Sequence, residues 1–127
     1  MDRDDPGLQV LTRQDCLALL GTVRVGRLVF TARALPAVRP VGFSLAPEGV
    51  LLQVAAGSGL ARAVSGTVVA FEADEFDPEL HRGWTVTVTG RVLRPPALRA
   101  GLPGGAPLVL PLELVDGRRV GAQQAVG

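Results

Sequence analysis

Lysine is missing altogether from these 127 residues, so all 13 basic side chains are arginines, set against 12 acidic ones for a formal charge of +1. Arginine codons are GC-rich and lysine codons are not, so coding bias explains this as well as chemistry does, and no function is read from it. The arginines are scattered along the chain, and a non-specific grip on nucleic acid is not expected. Cysteine occurs once, at Cys16, which excludes an internal disulfide and suits the reducing cytoplasm. Histidine also occurs once, at His81, in the polar stretch "ELHRGW". One His and one Cys cannot assemble a Ser-His-Asp or Cys-His constellation, so hydrolysis is not expected, and any redox chemistry has to come from a bound cofactor. Tyrosine is absent and Trp84 is the single tryptophan, leaving little large aromatic surface. Long apolar runs are missing too. The N-terminus "MDRDDPG" is acidic with no apolar stretch behind it, so neither a membrane-spanning helix nor a secretory signal is expected.

What is present is a globular composition, 47% hydrophobic and 20% charged, at a length that suits one domain. Residues 1–10 read as a flexible polar arm, and residues 11–127 as the domain. "LTRQDCLALLG" predicts a short helix with Thr12 as N-cap, Asp15 at the third helical position and Gly21 as its stop. Leu11 is placed to pack on Cys16, and Cys16 shares a face with Leu17 and Leu20, as a small core residue does.

From Val23 onward the texture is β-branched and punctuated by Gly and Pro. Strands are expected near 23–33, 37–45, 50–55, 67–74, 83–94 and 107–115, with turns at "PEG" (47–49) and "DG" (116–117). Six such strands suggest a barrel. In "GWTVTVTG" Trp84, Val86 and Val88 point one way and Thr85, Thr87 and Thr89 the other, so Trp84 reads as core or subunit interface rather than as a ring-stacking platform. "RPPALRAGLPGGAP" reads as a loop with one helical turn around Ala97 to Ala100. The acidic run "EADEFDPEL" has no His or Cys spacing that would make it a metal site and reads as a solvated strand end and loop.

Two stretches carry the candidate site. In "QVAAGSGLAR", Gln53, Val54 and Ala55 end a strand, and Ser58, Gly59, Leu60 and Arg62 open a helix. There the first N–H groups, the Ser58 hydroxyl and the positive helix end can face an anion. Ser58 as an ordinary cap explains the same residues. In "RPVGF", Pro40 cannot donate to a ladder and Gly42 has no side chain, which marks either an edge that a flat ring approaches or a barrel corner. Arg39 alternates with Val41 and Phe43 on an otherwise apolar face, where it answers either a ligand phosphate or a carboxylate at an interface.

Taken together, "LTRQDCLALLG", "VGRLVF", "LPAVRPVGF", "GSGL", "VVAFEAD", "GWTVTVTG" and "LVDGRRVG" resemble, in order and spacing, the pyridoxamine 5'-phosphate oxidase-like flavin-binding split barrels, over about residues 11–121. The resemblance implies a mainly β fold, a six-stranded split barrel of Greek-key type with short flanking helices. It also implies a homodimer with flavin mononucleotide (FMN) in an interface groove, bound by Arg39, Pro40, Val41, Gln53, Val54, Ala55, Ser58, Gly59, Leu60 and Arg62. Two basic side chains commonly hold the phosphate in that family, in a pattern like Arg-Thr-x-x-Gly-Thr-Lys-Leu. Here the Arg position is Gln53 and the Lys position is Gly59. A charged contact contributes about twice what a neutral hydrogen bond does, so weak or absent FMN binding is expected. The function implied is an FMN-dependent oxidoreductase. The alternatives are a non-catalytic small-molecule-binding barrel, or one that takes a deazaflavin or haem.

Overall fold

The structure, a computed structural model, describes residues 8–94 and 108–121. Residues 1–7 of the expected arm, and residues 95–107 of the Pro/Gly-rich loop with its expected helical turn, lie outside the described residues. The elements run β1 (Leu8–Val10), α1 (Arg13–Leu20), β2 (Val25–Ala32), β3 (Leu35–Ala46), β4 (Gly49–Gln53), α2 (Gly59–Val64), β5 (Val68–Asp77), β6 (Arg82–Arg91), β7 (Leu108–Leu110) and β8 (Leu114–Val120). The eight strands form one antiparallel sheet in the order β1-β8-β6-β5-β2-β3-β4-β7. It curls on itself with two short helices at its margins, as a split barrel does.

Local chemistry sets most of these boundaries. Thr12 has extended backbone and its hydroxyl accepts from the Asp15 N–H at 3.1 Å, capping α1 where the sequence placed the cap. The β2–β3 hairpin closes through Arg33 and Ala34, both with positive φ (54° and 64°), the twist a two-residue hairpin requires. Phe43 donates its N–H toward β2, to the Arg24 carbonyl at 2.9 Å. N–H direction alternates along a strand, so the nitrogens of Pro36 and Pro40 point the other way. On that side β3 pairs with β4 only over Gly42–Ala46, so neither proline interrupts a ladder.

The concave face is the core. Leu28 and Phe30 of β2, Val41 and Phe43 of β3, Phe71 and Ala73 of β5, and Trp84, Val86 and Val88 of β6 are all buried there, and the Phe43 and Phe71 rings meet edge to face at 4.7 Å. The alternation in β6 is as the sequence predicts, and Trp84 belongs to the core. Cys16 is buried under β8, and its thiol is shifted upward mainly by desolvation and then by Asp116, which keeps it protonated and unreactive.

Three expectations need correction. Leu8–Val10, assigned to the arm, pairs with Arg118–Val120 of β8. The single strand expected at 107–115 is two, β7 on β4 and β8 on β6, separated at Pro111 to Glu113. "DG" at 116–117 is no turn but the middle of β8. Gly117 is there because a Cβ would lie 2.5 Å from the Cys16 sulfur and 3.2 Å from Leu11 Cδ1, so its bare backbone lets α1 sit on the sheet.

Candidate functional site

After β4 the chain leaves the sheet through a tight turn. Ser58 donates its N–H to the Ala55 carbonyl at 3.1 Å, and Gly57 takes φ 75°, a region that favours glycine. Ser58 has the extended backbone of an N-cap, and its Oγ accepts from the Ala61 N–H at 3.1 Å. That bond uses the hydroxyl as an acceptor and leaves its proton to give. Arg62 reaches back and donates to the Gly57 carbonyl. The turn therefore satisfies itself, and its one guanidinium is engaged in closing it. The N–H groups of Gly59 and Leu60 have no intrahelical acceptor by position.

A cleft of about 560 Å³ reaches the last residue of β4 and is lined by Leu20, Gly21 and Val23 at the end of α1, Arg24 and Val25 at the start of β2, Gly42 to Leu45 of β3, and Gln53 of β4. Val25, Gly42 and Gln53 form one lateral row across three strands. The Gln53 side chain lies over Gly42, so closely that a Cβ at Gly42 would collide with its amide. The absence of a side chain at Gly42 thus makes room for the Gln53 amide, which covers the sheet there. The cleft's walls are apolar at Val23, Val25 and Leu45 and polar at Arg24, Ser44 and Gln53.

Of the ten residues proposed for the ligand, only Gln53 lines this cleft. Pro40 shares its sheet face, two residues from Gly42. Val41 and Val54 are buried in the core and Leu60 packs against it. Ala55, Ser58, Gly59 and Arg62 form the turn. Arg39 has the strand parity of Val41 and Phe43 but is exposed at the strand's outer stretch, donating to the Val38 carbonyl at 3.2 Å. Sequence reasoning missed Arg24 and Ser44. Gly42 was flagged, but Arg24 stands between two valines with no pattern to mark it.

A second polar group lies on the convex face. Arg27 holds Asp74 through two contacts of 2.9 and 3.1 Å and approaches Glu72 at 3.5 Å, and Thr85 donates to Glu72 at 2.8 Å. Glu72 and Asp74 therefore belong to a structured cluster rather than to a solvated strand end. Desolvation, then the hydrogen bond with Asp74, raises the Glu72 carboxyl above its ordinary range.

The curled antiparallel sheet with two short helices is that of a split barrel. The family model described as pyridoxamine 5'-phosphate oxidase matches residues 12–100, and the chain belongs to that family. The FAD binding protein from Mycobacterium smegmatis has a similar structure, at TM-score 0.74 and 30% identity over 88% of this chain and 97% of that one. A FAD-binding protein from Mesorhizobium loti, 20% identical over 88% of this chain and 96% of its own, shares the fold at TM-score 0.69. The uncharacterized protein Rv0080 of Mycobacterium tuberculosis is 41% identical over 85 residues, 63% of this chain. The chain spans 56% of that relative's length.

Proposed function

We propose that the chain binds a flavin nucleotide with the ring in the cleft at Gly42 and Gln53, and that it acts as a homodimeric oxidoreductase. The observation that carries this reading is the cleft itself. At about 560 Å³ it is within the range of roughly 300 to 1,000 Å³ typical of small-molecule sites. Its valine walls and the Gln53 amide over Gly42 suit a flat ring with a polar edge, and a 30% identical relative is a FAD binding protein. A bound flavin supplies the electron or hydride transfer. The chain's own part is to orient the ring edge with the Gln53 amide and the Ser44 hydroxyl and to keep water from one face with Val23, Val25 and Leu45.

FMN is the nucleotide proposed, held weakly at its phosphate. The turn at Gly57 to Leu60 offers neutral donors only, because Gln53 and Gly59 carry no charge and Arg62 is bonded to Gly57. The same feature favours a second reading, a non-catalytic barrel that binds another small molecule in the inherited cleft. Absorption spectra of the purified protein, before and after adding FMN or FAD, separate the two. A colourless preparation whose added flavin shifts its spectrum only at high concentration is expected. Stoichiometric FMN binding would sink the weak-phosphate reading, and no spectral change with any flavin would sink the flavin reading.

A further inference from the structure

The cleft contains a cation that no described residue pairs. Arg24 sits in the link between α1 and β2, exposed, on the cleft wall with Ser44 and Gln53. Among the described residues its guanidinium makes no hydrogen bond and no ion pair. Its neighbours differ in this respect: Arg27 is held by Asp74 and Glu72, Arg62 by the Gly57 carbonyl and Arg39 by the Val38 carbonyl. The backbone of Arg24, by contrast, is fixed, because its carbonyl accepts the Phe43 N–H at 2.9 Å. A guanidinium with a fixed base, no carboxylate paired to it and the neutral polar groups of Ser44 and Gln53 in the same cleft suits bidentate contact with a phosphate.

We propose that Arg24 anchors the anionic group of the cleft's ligand, a phosphate attached to a flat and largely apolar ring. One arginine from the α1–β2 link thereby takes the part that neither Gln53 nor Gly59 can play. Gln53 and Ser44 keep their contacts with the ring edge, and Val23, Val25 and Leu45 line the cleft's apolar side. The ring half of this statement rests on the flavin reading; the phosphate half does not. A single cation in place of two gives phosphate selectivity without tight binding.

Two titrations of the full chain separate the halves. The first compares FMN with riboflavin, which lacks the phosphate, on wild type, Arg24→Gln and the charge-matched control Arg33→Gln in the exposed β2–β3 turn. Wild type and control are expected to prefer FMN by about tenfold or more, as one charged hydrogen bond provides. Arg24→Gln should bind FMN no better than riboflavin, with riboflavin affinity unchanged. The second follows backbone amide shifts during addition of inorganic phosphate. Saturable shifts at Gly42, Ser44 and Gln53 are expected in wild type and control and not in Arg24→Gln. If no flavin binds but the phosphate response depends on Arg24, the anchor stands and the flavin reading falls. If Arg24→Gln keeps the wild-type phosphate response or the FMN preference, or if wild type shows neither, the anchor is overturned.

Discussion

Glu72 is the residue whose environment departs most from what its sequence context suggests. Its side chain is only 23% exposed, on a sheet face between Arg27 and Thr85 with Asp74 alongside. Burial and the shared hydrogen bond with Asp74 outweigh the help from Thr85 and Arg27, so its carboxyl titrates above the ordinary value of 4.5. Below that value Glu72 is neutral in both the folded and unfolded states, and its contribution to stability is fully present. As pH rises past 4.5 the unfolded chain ionises first and holds fewer protons than the folded one, so stability falls until the folded carboxyl has ionised too. Glu72→Gln keeps an acceptor for the Thr85 hydroxyl and removes this titration. Melting temperatures across the acidic range should show the wild type losing ground to Glu72→Gln as pH rises above 4.5, then running parallel to it. Direct carbon NMR titration of the Glu72 carboxyl reads the same shift. A midpoint at or below the ordinary value would refute the raised carboxyl.

At the scale of elements, the β4–α2 turn can be tested by adding the cations it lacks. A side chain at Gly59 would have open space, its nearest neighbour being Arg62 Nη2 at 3.9 Å, and Gly59 does not have the positive φ that would strain a lysine. Gln53→Arg with Gly59→Lys should therefore fold normally and tighten FMN far more than riboflavin, each charged bond contributing about 1.5 to 3 kcal/mol. Equal gains for both flavins would mean that the turn does not meet the phosphate. How legible such elements were in the sequence depended on where their determinants lie. The ends of α1 are written locally, in Thr12 and Gly21, and the faces of β6 in a strict alternation, so both could be read directly. By contrast, β1 has three residues, too few for a period, and exists by pairing with β8. "DG" at 116–117 has a turn signal that packing overrides, because the bare Gly117 backbone is what α1 needs. The cleft unites residues near 20–25, 42–45 and 53, and no local pattern announces that union, which is why Arg24 went unread while Gln53 did not.

At the scale of the whole molecule, the curled sheet has two faces, and among the described residues only the concave one is covered. On the convex face Val25, Val38 and Val68 are 59%, 51% and 58% exposed, and the register puts Ala70, Val29 and Val38 in one row across β5, β2 and β3. The charges beside that row, Arg27 with Glu72 and Asp74, are already paired within the chain. A second copy is the occupant this favours, because a twofold contact repeats the same apolar patch on both sides and the carboxylates beside it are already held by Arg27. A stable contact of this kind buries roughly 800 Å² or more per partner. Sedimentation at micromolar concentration should show a dimer. Val38→Glu, at an exposed site where the fold itself loses little, places two carboxylates against the apolar row and should yield folded monomers with an unchanged circular dichroism spectrum. A monomeric wild type, or a Val38→Glu variant that stays dimeric, would remove this face from the interface. A monomeric wild type would also oblige any ligand in the Arg24 cleft to be held by one chain alone.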